Sequence, residues 1–350
     1  MKAAVLHAKQ DLRFEDRPIP QVGKTDVLIR VMASGICGSD VPRVNNGSAH
    51  FFPLVLGHEF SGVVEKIGAG VTAVAPGDHV TAAPLLPCMV CKDCAKGDFG
   101  LCRNYKIVGI WRDGSFAEYI SVPERNVILL DPAIPFEVGA LIEPASVALH
   151  GIRRIDFRAG QTVAIVGCGT IGLFAIQWAK IFGARQVVAF DLNDNKLALA
   201  LQLGADAAVN TLSANMQEQV AALTNGRGFF YVYETAGSAE TMKLCFDLVE
   251  NKGHVCIVGT QGKDITFTPA QFELLSKKEF TLTGSRQSYE APFPGDDWFL
   301  TAHFLKTGQL KADERFISHR LPLSAAADAF ALYRSGRVDG KVMLLPHGKL

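Results

Sequence analysis

The sequence predicts a two-domain α/β protein in which a mostly-β domain is interrupted by a doubly wound parallel-sheet domain. Three observations carry this. Short β-like runs broken by Gly, Pro and Asp fill residues 1 to about 120. From about residue 160, apolar strands alternate with helices. The first of those strands runs directly into a G-x-G-x-x-G turn. A chain of 350 residues has the length for two cores, and 48% hydrophobic residues supply the material for them.

In the first region the runs are KAAVLH, DVLIRVMAS, EFSGVVEKIG, GDHVTAAP and AEYISVP. In the second they are TVAIVG, QVVAFD, DAAVN, FFYVYE, HVCIVG and FTLTGS, with helical stretches TIGLFAIQWAKIFG and DNKLALALQLG between the earlier ones. Apolar runs of this length fit strands buried on both faces of a parallel sheet. After about residue 287 the alternation stops; DDWFLTAHFLKTG and SAAADAFALYRSG read as helices and KVMLLP as a final strand. The expected division is residues 1–150, 151–287 and 288–350, with the last segment returning to the first domain.

Thirty-five basic residues balance thirty-five acidic ones, so the chain lacks the basic footprint of a nucleic-acid partner. No apolar run reaches the roughly 18 residues of a membrane span, and the N-terminal stretch lacks the apolar core of a signal peptide. A soluble cytoplasmic protein with no membrane partner is expected. In that reducing setting, clustered thiols among the eight cysteines read as metal ligands.

Gly167, Gly169 and Gly172 form the G-x-G-x-x-G, with Thr170 and Ile171 opening the helix behind it. The first Gly permits the tight turn and the second lets backbone approach a pyrophosphate. The third allows close helix–strand packing, and the helix N-terminus faces the anion. Asp191 ends the next strand, where a carboxylate accepts ribose hydroxyls and repels a 2′-phosphate. NAD is therefore expected over NADP. A Gly-rich turn that binds nothing is the plainer alternative. Cys168, Cys245 and Cys256 read as ordinary buried thiols.

Cys88, Cys91, Cys94 and Cys102 fall at C-x-x-C-x-x-C-x(7)-C within a lobe at 88–102. Four thiolates so close in sequence can close a tetrahedral zinc shell with no open position, a structural role. An iron–sulfur cluster is the alternative. A second set is scattered: Cys37 in SGICGSD, His58 and Glu59 in LGHEF, and Glu143 in LIEP. Taken singly, these read as a core thiol, a satisfied polar pair at a strand end and a surface carboxylate. Together they are the donors that folding gathers for a catalytic zinc with an open place for substrate. Pro144 is expected to hold Glu143 in extended geometry. Two zinc ions per chain are expected.

The strings GICGSD, LGHEFSGVVEKIG, the four-cysteine lobe, DGSFAEY, EPASVALH and GCGTIG resemble the zinc-dependent medium-chain alcohol and polyol dehydrogenase family over essentially the whole chain. The resemblance implies a GroES-like catalytic domain and a Rossmann NAD-binding domain, with the active site in the cleft between them. It implies hydride transfer from a secondary alcohol to NAD, and a homodimer or homotetramer. Glu143 would join the zinc shell or anchor its water. Within the family, CGSDVPR, GSAHFFP, LLPC and YEAPFPGDDW resemble the branch acting on polyol phosphates. A free polyol or diol such as sorbitol, xylitol or butanediol, or L-threonine, is the alternative substrate. Many relatives carry a proton-relaying His five residues after the first cysteine ligand. Here that residue is Pro42, which leaves Ser39 as first relay group, with His50, water or ribose hydroxyls completing the path. Arg43, His50, Arg112 and Arg286 are the candidate phosphate donors, since Arg suits bidentate recognition. A zinc protein that binds nucleic acid fails on charge. The zinc-free quinone reductase branch lacks both sets of ligands.

Overall fold

The computed structural model describes residues 1–348. The chain divides into two compact units: Met1–Glu143 with Ser288–Gly308 and Ala312–Leu350, and Pro144–Gln287 with Gln309–Lys311. The contact division thus falls at 143/144, where the sequence reading places its first division at 150. The reason is the helix Ile142–Arg153. Its residues bond to the second unit: Trp178 Nε1 donates to Ala145 O at 3.0 Å and Cys256 Sγ to Gly151 O at 3.6 Å. That helix also corrects the geometry expected of Glu143, which lies in its first turn and is not extended. Proline is tolerated at a helix start, because the N–H it lacks would have no intrahelical acceptor there.

Among the described residues, the first unit is organised on a seven-stranded sheet. Its central strand, Asp26–Gly35, is almost wholly buried because it is paired on both edges. Glu59–Ile67 lies antiparallel on one edge; Tyr119–Pro123 and Lys341–Leu345 share the other. The first pair approaches so closely that a Cβ on Gly62 would stand 2.0 Å from Arg30 O, which explains the glycine. Register then sets the site. Gly35 pairs with Glu59 on one side and with Met343 on the other. The chain leaving Gly35 therefore carries Cys37 beside the His58–Glu59 corner, with Lys341 two residues from the same rung. A second cluster packs Val5, Leu54, Phe116 and Phe330 behind this sheet, and a third packs Cys94 and Cys102 of the lobe against Phe99, Tyr289 and Trp298.

The second unit has six parallel strands in the order Ala207–Asn210, Gln186–Asp191, Thr162–Val166, Phe229–Glu234, Val249–Ile257, Thr281–Gly284. This is the doubly wound order that reverses beside the first strand, the usual place for a dinucleotide. Thr162–Val166 is buried at every residue. The helix Thr170–Ile181 buries Leu173, Phe174, Ile176 and Trp178. Each such aliphatic or phenyl side chain contributes about 1.5–3 kcal/mol on leaving water. The architecture is the mostly-β unit plus doubly wound parallel-sheet unit expected. Among the elements that the sequence patterns do not single out are the strands Asp11–Asp16 and Ile317–Pro322 and the helices Asp40–Asn46, Ile142–Arg153, Met216–Thr224, Ala239–Leu248 and Pro269–Lys278. The first two are half-exposed, charged edge segments without a clear apolar alternation. No helix among the described residues is long and apolar enough to cross a membrane.

Candidate metal centres and dinucleotide site

Cys37, His58 and Glu59 each offer a ligand atom, and these atoms lie within 4.8 Å of one another. Cys37 Sγ accepts hydrogen bonds from Ser39 N at 3.4 Å and Ser39 Oγ at 3.3 Å. Asp40, absent from the sequence reading, is fully buried; its Oδ2 accepts from Cys37 N at 3.2 Å. Its Oδ1 lies 3.7 Å from His58 Nδ1, and both atoms are buried without a hydrogen-bond partner. At that distance the carboxylate acts on the imidazole through its charge and not through a hydrogen bond. Lys341 completes the surround: Nζ donates to both Glu59 oxygens, at 2.6 and 2.9 Å, and to Ile36 O at 3.2 Å.

The electrostatics fit a cation. Burial pushes the Cys37 thiol up, and Glu59 adds to the push. Burial likewise raises the Asp40 carboxyl, against the pull of His58 and Arg43. Glu143 stands outside the three-residue set but in the same field: burial pushes its carboxyl up to about 7, with Glu59 and Asp40 adding repulsion. Acidic groups crowded out of water are held ionised by a divalent ion at their centre. The Cys/His/carboxylate donors suit zinc.

In the lobe, the ligand atoms of Cys88, Cys91, Cys94 and Cys102 also lie within 4.8 Å of one another. Cys88 and Cys94 sulfurs are 4.0 Å apart, and those of Cys91 and Cys102 3.9 Å. A tetrahedral Zn–S shell with bonds of about 2.3 Å places its sulfurs about 3.8 Å apart. The lobe is pre-shaped for that ion. All eight cysteines of the chain are free thiols.

In the second unit the glycine turn behaves as its spacing requires. Gly167 has φ +101°, open to glycine without strain. A Cβ on Gly172 would lie 1.8 Å from Gly167 O, so the third glycine packs the helix on the turn itself. A Cβ on Gly169 would meet nothing within 4 Å, so this residue leaves room for a ligand to reach backbone. Asp191 Oδ2 accepts from Cys168 N at 2.7 Å and Oδ1 from Asn193 N at 3.0 Å. The carboxylate is thereby fixed beside the turn, with Thr170 and Ile171 at the start of the helix.

Residues 23–132 match the alcohol dehydrogenase GroES-like domain, and residues 170–300 match the zinc-binding dehydrogenase family. Galactitol 1-phosphate 5-dehydrogenase of Escherichia coli (strain K12) is 38% identical over 347 residues, 99% of this chain and 100% of that one. The chain belongs to the zinc-binding dehydrogenase family. As such it is an oxidoreductase that uses zinc and a nicotinamide dinucleotide. The crystal structure of galactitol-1-phosphate dehydrogenase from Escherichia coli superposes with a TM-score of 0.93 at 38% identity, covering 99% of this dehydrogenase and all of that chain. Sorbitol dehydrogenase of Bacillus subtilis (strain 168) is 32% identical over 319 residues, 90% of each chain.

Of the four phosphate-donor candidates of the dehydrogenase, the three in the first unit, Arg43, His50 and Arg112, make separate contacts. The Arg43 guanidinium donates to Ser39 O and lies 3.8 Å from Asp40 Oδ1. His50 stacks on Trp111 with ring centroids 3.7 Å apart. Arg112 donates to Ser121 O at 3.0 Å and lines a pocket with Arg17 and Asp113. Arg286 belongs to the other unit. Sequence reasoning missed Lys341 and Asp40. For Asp40 a signal existed, since it is the acid of CGSD three residues after Cys37. For Lys341 none did.

Proposed function

We propose that this dehydrogenase oxidises a secondary alcohol of a polyol phosphate to the ketone, galactitol 1-phosphate to tagatose 6-phosphate, with NAD as acceptor. The observation that supports it is the gathering of Cys37, His58 and Glu59 within 4.8 Å in a chain 38% identical to an enzyme of that name. When bound, zinc supplies a Lewis acid that lowers a hydroxyl pKa by several units, and NAD supplies the two-electron acceptor. Cys37, His58 and Glu59 would hold the catalytic ion, with Glu143 as further ligand or as anchor for its water. Cys88, Cys91, Cys94 and Cys102 would hold the structural one.

The chain's own groups do the rest. Lys341 fixes Glu59 from behind through two hydrogen bonds, and Asp40 holds the backbone N–H of Cys37, so these donors keep their geometry between turnovers. Ser39 stands against the Cys37 sulfur and is the first group able to take the alcohol proton outward; Pro42 has none to exchange. Gly169 and the helix start at Thr170 and Ile171 receive the pyrophosphate, while Asp191 takes the ribose hydroxyls and disfavours a 2′-phosphate. Arg43 is the donor best placed for the substrate phosphate, being beside Asp40 and Ser39. His50, Arg112 and Arg286 are secondary candidates. The eight free thiols fit a cytoplasmic enzyme. The strand Thr281–Gly284 ends its sheet with an exposed edge, which suits pairing in a homodimer or homotetramer.

Two measurements test this reading. Initial rates with NAD on galactitol 1-phosphate, free galactitol, sorbitol and butanediol should rank the phosphorylated polyol first by kcat/KM. Arg43→Ala should lower that preference far more than it lowers the rate on free polyol. A preference for sorbitol or butanediol would replace the phosphate assignment. Cys37→Ser should lower bound zinc from about two ions per chain to about one, abolish turnover and leave NADH binding intact. Retained turnover would remove the catalytic zinc from Cys37.

A further inference from the structure

The side chain of Glu234 is a fully buried carboxylate at the end of the strand Phe229–Glu234, outside both metal sets. An ionised carboxylate out of water is tolerated when strong donors surround it. Its Oε1 accepts from Gly237 N at 2.7 Å, Ala236 N at 3.0 Å and Thr241 Oγ1 at 2.8 Å. Its Oε2 accepts from Gln261 Nε2 at 3.3 Å. These donors come from three segments. One is the turn after the strand, and another is the capping box Ser238/Thr241 that starts the helix Ala239–Leu248. The last is the loop after the strand Val249–Ile257.

The turn so held touches the glycine fingerprint. Thr235 Oγ1 donates to Gly167 O at 2.8 Å and to Val166 O at 3.1 Å. A Cβ on Gly167 would meet Ala236 N and Ala236 Cβ, each at 2.9 Å. On its other side the turn is wedged against the loop, where a Cβ on Gly237 would lie 2.4 Å from Thr260 O. Gly259 is packed as tightly, since a Cβ there would lie 2.6 Å from Glu234 Oε2. The carboxylate thus sits under the carboxyl ends of two neighbouring strands at the point where strand order reverses. In open α/β sheets that edge receives the ligand.

We propose that Glu234 is a positioning residue for the dinucleotide: it holds residues 235–237 and 259–261 in their ligand-ready conformation against Gly167. This deepens, and rests on, the NAD reading above. Glu234 need not touch the cofactor. Its charge fixes backbone that otherwise would be ordered only on binding, at a cost to affinity. Gln261 is held the same way, with Oε1 buried and without a protein partner among the described residues.

The test is NADH affinity of the zinc-loaded enzyme, read by fluorescence, for wild type and Glu234→Gln. The glutamine keeps the shape but removes the charge and turns a donor toward Gln261. The expected result is a dissociation constant raised about tenfold, the scale of weakening several hydrogen bonds to a charged group. KM for NAD should rise in parallel while kcat at saturating NAD stays within about twofold, the mark of lost uniform binding. In the ligand-free protein, amide exchange across residues 235–241 should accelerate while zinc content is unchanged. Where Glu234→Gln fails to fold, Gln261→Leu removes only the Oε2 donor and should raise the constant by a smaller factor. An unchanged constant in a folded variant overturns the proposal. Wild type that binds no NADH would overturn the dinucleotide reading instead.

Discussion

Lys341 and Glu59 form a buried ion pair across 282 residues of chain, with Nζ 2.6 Å from one carboxylate oxygen and 2.9 Å from the other. Both side chains are at most 5% exposed. Burial alone would lower the lysine pKa, but Glu59 and then Cys37 more than reverse that, so the ammonium stays charged. The ammonium therefore compensates the Glu59 carboxylate within the Cys37/His58/Glu59 cluster.

Removing one member of such a pair strands the other. Lys341→Met in zinc-stripped protein is expected to lose about 3–5 kcal/mol of stability, the usual cost of an uncompensated buried charge. In zinc-loaded protein the loss should be smaller, because the ion takes over the compensation of Glu59. Urea unfolding of both forms checks this. Equal losses with and without zinc would show that Glu59 gains nothing from the metal.

Metal removal should make the lobe thiols unequal. The N–H groups of Cys94 and then Arg103 point at the Cys91 sulfur and hold its pKa down at about 6. Burial pushes Cys94 up to about 12. Zinc-stripped protein at pH 7 should thus alkylate at Cys91 well before Cys94, and zinc should protect both. The linkage follows in sign. Cys91 has a depressed folded pKa, so its stabilising contribution is full above the ordinary thiol value near 9. It is lost as pH falls toward 6. Iodoacetamide mapping by mass spectrometry at several pH values reads both effects; Cys94 reacting first would refute the assignment.

Asp191 should govern coenzyme choice. Asp191→Ala removes the acceptor for ribose hydroxyls and the repulsion toward a 2′-phosphate. It also frees Cys168 N and Asn193 N, which the carboxylate now holds. The ratio of kcat/KM for NAD over NADP should fall by about tenfold or more, equivalent to about 1.4 kcal/mol. Steady-state kinetics with both coenzymes decides; an unchanged ratio would place coenzyme discrimination elsewhere.

By itself, the sequence determined what is encoded locally. The strand–glycine–helix passage through Gly167, Gly169 and Gly172 is written within a few residues, because a positive φ at Gly167 and the absent Cβ at Gly172 are demands on single positions. The gathering of the four lobe sulfurs was legible for the same reason, since their spacing brings them together without distant chain. Asp191 could be read from the end of its strand.

Tertiary structure decided whatever depends on two distant segments meeting. Gly35 pairs with both Glu59 and Met343, and that rung brings Lys341 against the Glu59 carboxylate. No periodicity records a contact across 282 residues. The helical start at Glu143 was likewise hidden, because the residue before a proline is biased toward extended backbone and only packing of the helix Ile142–Arg153 overrides it. Glu234 looks like any acid after an apolar strand until burial and four converging donors give it a task. Local rules act through backbone sterics and are fixed by neighbours in sequence. Charge compensation and burial act through space, and only the folded chain defines that space.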